Sequence, residues 1–131
     1  MSAFSNYLED QITGWIAGTS MTAPTATFVQ LYNGDPTDAG SGGTALFTRY
    51  QVASGAGSWT RGTGGNGTIT NASAFTITSS ATATASATHV AVWDASAAGN
   101  LLFYGALTTA KTIASGDEVK FNTSALTLTV A

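Results

Sequence analysis

Polar and apolar positions alternate with a period of two along much of this chain, most densely between His89 and Val130. Four runs stand out there: His89 to Asp94, Leu101 to Leu107, Glu118 to Asn122 and Leu126 to Val130. In the second, Leu101, Phe103, Gly105 and Leu107 alternate with Leu102, Tyr104 and Ala106, as side chains do when they leave a strand on opposite faces. Both faces are largely apolar, which suits the middle of a sandwich or a protein interface better than a sheet with one wet face. The intervening DASAAGN, TAKTIASGD and NTS are rich in turn residues. The pattern predicts an antiparallel meander that supplies half of a core.

The start of the chain has a different period. Leu8, Ile12, Trp15 and Ile16 fall on one helical stripe, Ser5 is a suitable cap, Glu9 and Asp10 sit near the positive end, and Gly18 is a natural stop. This predicts an amphipathic helix over residues 5–17. A helix of this length is marginal alone, so its stripe must dock. Packing on its own domain is the economical expectation; the sharper one is that Phe4, Tyr7 and Trp15 reach a neighbouring subunit. After the connector TSMTAP, strands are predicted over Thr25 to Tyr32, Thr44 to Val52, Ser58 to Arg61 and Ala74 to Thr78. NGDPTDAGSGG reads as an exposed loop, and ASGAG and GTGGNG as turns or tips. Thr68 to Thr88 is a low-complexity Thr/Ala/Ser tract joining the Ala74 strand to the meander. One helix followed by about eight short strands predicts a mainly β fold. Its expected form is an antiparallel β-sandwich, jelly-roll or immunoglobulin-like, spanning 25–130 of a single domain, 1–131.

Composition narrows the function. The chain has 131 residues, no cysteine, a formal net charge of -3 and only 8% charged residues, against a usual figure of about 25%. A sheet protein so poor in lysine guards its edges weakly, a condition that life in an assembly tolerates. Four basic residues are too few for a phosphate-binding footprint, so nucleic acid is not an expected partner. The sequence has no apolar run long enough to span a bilayer and no basic start followed by a hydrophobic block, so neither a membrane nor simple secretion is expected.

Candidate chemistry is thin. His89 is the one histidine, and without Cys or a second His it does not make an ordinary zinc site. The pairs Asp35 with Asp38 and Asp117 with Glu118 read as turn caps rather than catalytic carboxylates or calcium ligands. RGTGGNGT lacks the Gly-Lys-Ser/Thr of a phosphate loop. Asn66, Asn71 and Asn122 begin Asn-x-Ser/Thr triplets that arise by chance in a Ser/Thr-rich chain. Trp15, Trp59 and Trp93 would make a sugar-stacking platform if exposed together, but tryptophans more often anchor cores and interfaces. The reading is of a protein that is not an enzyme, with no catalytic residue, cofactor or metal.

The succession HVAVWDASAAGNLLFYGALTTAKTIASGDEVKF, closed by ALTLTV, resembles the C-terminal half of a group of small tailed-bacteriophage virion proteins. SNYLEDQITGWIAGT and TATFVQLYNGDPTD are similar too, so the resemblance covers most of the chain except Ser54 to Ala87. It implies a phage structural protein of the tail-fibre or head-decoration type and brings no catalytic residues. The leading expectation is a capsid decoration or cement protein, made in the host cytoplasm and carried on the virion. It would bridge major capsid protein subunits as a homo-oligomer, with a trimer favoured. A tail or tail-fibre component that touches the host is the alternative, and a carbohydrate-binding module the more distant one. Phe4, Tyr7, Trp15 and Trp59, with the glycine-rich loops, are the expected contact elements.

Overall fold

A computed structural model describes residues 2–54, 58–65, 67–80 and 83–130. Asn66, and the parts of ASGAG and SSATATASAT at 55–57 and 81–82, lie outside the described residues. The fold is mainly β, with antiparallel sheets and one helix near the N-terminus. Helix α1, Asn6–Ile16, follows a short strand β1, Ser2–Phe4. Ser5 is its N-cap: the side-chain oxygen accepts from the Leu8 amide at 3.2 Å, satisfying one of the donors that a helix start leaves free. The same hydroxyl donates to the Leu101 carbonyl, which fixes the helix start to the sheet. The helix ends at Ala17 and is followed by Gly18 at φ +95°, the left-handed position that glycine fills most readily.

The large sheet has the order β1-β9-β8-β2-β3, with β4 also paired to β2. Here β2 is Ala26–Asn33, β3 Thr44–Ala45, β4 Tyr50–Ser54, β8 Ala85–Trp93 and β9 Leu101–Ile113. Two smaller antiparallel sheets complete the fold. One pairs β7, Phe75–Thr78, with β10, Glu118–Phe121. The other orders β11, Thr127–Thr129, with β6, Thr68–Asn71, and β5, Trp59–Arg61.

Val29, Leu31, Val90, Val92 and Phe103 of the large sheet share one core with Phe75, Ile77, Val119, Phe121 and Leu128 of the small ones. The arrangement is therefore sandwich-like. Three rings bridge the layers: Tyr50 stacks on Phe75 at 5.5 Å, and Phe75 on Phe121 at 5.0 Å. Asn71 is fully buried beside this core and fully bonded. Its Nδ2 donates to the carbonyls of Ser73 and Asn122, and its Oδ1 accepts from the Leu126 amide. A buried amide with all of its partners in place ties β6 to the segment that leads into β11.

Several expectations change. The four C-terminal runs do not form a meander: β8 and β9 pair, but β10 crosses to β7 and β11 to β6. The other edge of β9 is taken by β1, and the apolar sides of β10 and β11 close the core from the other layer. The Thr-Lys segment is not a turn, because β9 runs on to Ile113, which is buried. Its last residues pair with Ala85–Ala87, so the low-complexity tract contributes the start of β8. Between them the register jumps from Ala106 to Lys111 while β8 advances only from His89 to Ala87, leaving Leu107 to Ala110 as a bulge. The expected Thr44 to Val52 strand is split in two. At the break the Gln30 side chain donates to the Phe47 carbonyl and turns Phe47 into the core. Thr68–Asn71, read only as part of a low-complexity tract, is a strand.

The second face of the large sheet carries its own cluster, Tyr32, Ala91, Trp93 and Leu101, with Phe28 and Tyr104 against it. Opposite the Val92/Trp93 step, Leu102 is the extra residue of a bulge, so the neighbours Leu102 and Phe103 both join the main core while Leu101 joins the second cluster. The two-sided apolarity of LLFYGAL is thus used inside the chain. The 33–43 loop helps to cover this face: Pro36 is buried, and a Cβ at Gly40 would meet the Trp93 ring at 2.7 Å, so only glycine fits.

Candidate interaction surface

The four expected contact residues fall in different settings. Phe4 and Tyr7 are half-buried against the main core. Trp59 is half-buried too, edge-on to Phe103 at 5.7 Å, with its Nε1 donating to the Thr27 hydroxyl at 2.9 Å. Trp15 alone of the four faces outward, 64% exposed, beside Ile16 at 75%. The helix stripe therefore docks at its first turn and is bare at its last. No residue of α1 is buried apart from its cap. With Ile12, Gly18, Thr19, Ser20 and Met21, Trp15 lines a shallow groove where the helix meets its connector. A second groove runs between β9 and β11, lined among others by Phe4, Phe103, Leu107, Leu126 and Leu128.

Edge strands β5 and β10 carry Arg61 and Glu118 with Lys120, but other edges carry no charge. Strands β1, β3, β4 and β11 read SAF, TA, YQVAS and TLT, with no charged side chain. Such edges lack the lysines that usually discourage pairing with another chain.

Sites of possible chemistry resolve into structural roles. The Nδ1 of His89 lies 2.9 Å from the Thr88 hydroxyl, which also donates to the Tyr32 carbonyl. Asp35 accepts from the Thr37 amide and Asp117 from the Ala114 amide, both at 2.8 Å, as turn caps do. No group of three or more His, Asp or Glu that would hold a metal occurs among the described residues. Among those residues, no helix is long and apolar enough to cross a membrane. Burial of Asn71 leaves no room for a glycan there. The tryptophans do not form a platform: Trp93 is buried under the second cluster and Trp59 is held in the first.

Arg49 is the residue that sequence reasoning missed. Its guanidinium lies 3.7 Å from the centroid of the Trp93 ring and donates to the carbonyls of Ala95 at 2.8 Å and Ala98 at 2.6 Å. Ala98 sits at φ +49°, an unusual backbone for a residue with a side chain, and this bond helps hold it. Asp94 closes the same turn by accepting from the amide and the side chain of Asn100. Burial pushes the Tyr32 phenol above its ordinary value, with Arg49 and Trp93 pulling it partly back. Burial also raises Tyr104, helped by the negative charges of Asp35, Asp38 and Glu9. A cation over an aromatic face is a signal that spacing alone does not carry, because 44 positions separate Arg49 from Trp93.

What this arrangement offers is contact surface. No curated protein matches the chain. A family model described as podophage GP4 fiber I protein gp80 matches residues 3–129, reaching from β1 through β11.

Proposed function

The chain belongs to the podophage GP4 fiber I protein gp80 family, and from that premise we propose that it is a fibre component of the tail of a phage particle. It is a tailed-phage virion structural protein, whose work is to hold contacts with other virion proteins. The single observation that carries the fibre reading is a match over nearly the whole chain to a family described as a fibre protein. That description favours the tail-fibre alternative over capsid decoration, which was the leading expectation from the sequence. The family is a structural one, and the turn-capping roles of the acidic residues fit a protein that works without turnover.

The contact mechanism is burial of apolar surface and pairing of uncharged edges. Of the four residues expected to make contacts, Phe4, Tyr7 and Trp59 serve this chain's own packing. We assign the outward contact to Trp15 with Ile16. Incubating tagged protein with isolated tails and, separately, with expanded capsids tests the location. Binding to tails is the expected result. Binding to capsids alone would return the protein to the capsid surface.

A further inference from the structure

The run Asn33-Gly34-Asp35-Pro36 sets an asparagine before a glycine, the pair in which the side-chain amide is lost most readily to attack by the next backbone nitrogen. The fold imposes this pair. Gly34 lies at φ +91°, where a side chain is strained, and a Cβ there would stand 3.4 Å from the Cα of Gly43. Asn33 is the last residue of β2, exposed and paired with Thr44 of β3. The Gly34 amide, whose nitrogen would attack, instead donates to the Thr88 hydroxyl at 2.9 Å. Thr88 stands at the register break of β8, between Ala87, paired with Lys111, and His89, paired with Ala106. Its oxygen lies 3.4 Å from the Tyr32 carbonyl and 2.9 Å from the His89 Nδ1. Giving its proton to one of these leaves a lone pair for Gly34.

We propose that Asn33 is a self-modification site of this chain, kept unreacted in the fold by the Thr88 hydroxyl. In the reaction the Gly34 nitrogen gives its proton to water and bonds to the side-chain carbonyl carbon of Asn33. The side-chain nitrogen takes up a proton and leaves as ammonia. Water then opens the five-membered imide at one carbonyl or the other, giving aspartate at position 33 or its isomer linked through the side chain. No reactant but water enters. Glycine offers no side chain to hinder ring closure, which is why this pair reacts where Asn6-Tyr7 and Asn100-Leu101 are slow. Two features oppose the reaction in the folded chain. The attacking nitrogen must first give up its bond to Thr88, and pairing with Thr44 holds Asn33 extended whereas ring closure rotates its backbone. The reaction therefore waits on a local opening at the end of β2. Its products would change the surface nearby. Aspartate adds a negative charge to the loop that carries Asp35 and Asp38, and the isomer adds a methylene to the backbone that leads to Gly40 on Trp93.

The proposal concerns the chain's own chemistry and does not rest on the tail location. Purified protein is aged at mildly alkaline pH, digested with trypsin and followed by mass spectrometry. Cleavage after Arg49 and Arg61 puts Asn33 and Asn66 in different peptides, so Asn66-Gly67 serves as an internal reference. Asn33 is expected to convert more slowly in folded wild type than in the same chain unfolded in urea. Folded Thr88→Val is expected to convert Asn33 about five-fold faster than wild type, the factor that one ordinary hydrogen bond is worth. Thr88→Ser keeps the hydroxyl and is expected to stay at the wild-type rate, with Asn66 unchanged in all three. No conversion at Asn33 in the unfolded chain would overturn the site itself, and equal rates in folded and unfolded wild type would overturn its protection. Equal Asn33 rates in folded wild type and Thr88→Val, or an acceleration shared by Asn66, would overturn the role of Thr88. Should Thr88→Val not fold, hydrogen exchange at the wild-type Gly34 amide decides: slow exchange supports the proposal, and exchange at the unfolded rate refutes it.

Discussion

Strand β9 and helix α1 carry comparable apolar patterns and meet different fates. The first half of β9 has both faces covered, one by the inter-sheet core and one by the Trp93 cluster. Helix α1 is seated by its cap and first turn while Trp15 and Ile16 point to solvent. The difference teaches that an apolar stripe states which face wants cover, and its neighbours in space decide whether the chain supplies it. For β9 the cover comes from segments far away in sequence, such as Phe75 and Leu128. For the end of α1 nothing within the described residues reaches it.

Substitutions can break this contrast in graded steps. Phe75→Ala removes the middle ring of the Tyr50–Phe75–Phe121 stack and is expected to cost about 3–5 kcal/mol, read from the urea midpoint. A loss below about 1 kcal/mol would mean that the two layers do not depend on one another. Asn71→Ala strands buried partners at Leu126, Ser73 and Asn122 and is expected to cost about 3 kcal/mol. Full stability in that variant would show that these groups find other partners. Ser5→Ala removes both the helix cap and the bond to β9, with an expected loss of about 1–2 kcal/mol and earlier proteolysis within residues 2–16 than elsewhere.

A pH series probes the covered face. The Tyr32 phenol titrates above its ordinary value of 10.0 in the fold because burial disfavours the phenolate. The protonated form is the one the fold accepts, so this contribution is intact below pH 10 and is lost as pH rises through the folded value. Unfolding midpoints should fall on the alkaline side, and less steeply in Tyr32→Phe; identical slopes would refute the assignment. The smallest effect belongs to the bare patch. At concentrations low enough to keep the chain monomeric, Trp15→Ser with Ile16→Ser should change stability by no more than about 0.5 kcal/mol. A larger loss would mean that the helix end is packed after all.

Much of the fold was legible because its signals are local. Ser5, the i, i+4 stripe and Gly18 mark the helix to within a residue at each end, since capping and helical period act over a few positions. Period-two alternation found β2, β7 and the first half of β9 for the same reason. It failed where pairing overrode composition. Threonine-rich Thr68–Asn71 and Ala85–Thr88 became strands through partners at Leu128 and Lys111, and Gln30 broke a continuous run at Phe47. The contact surface was less legible still. Phe4, Tyr7 and Trp59 carry the same aromatic signal as Trp15, and no local pattern tells an aromatic that fills its own core from one left outside it.

By itself the sequence determined the helix with its cap and stop, most of the strands, the scarcity of charge and the lack of a convincing catalytic motif. Those follow from backbone preferences and side-chain chemistry, which act within a few residues. Only the tertiary structure decided that β10 and β11 leave the meander, that Arg49 covers Trp93 and that the N-terminal stripe ends bare. Each of these depends on which distant segments meet, and burial in a close-packed core is settled collectively by all of them.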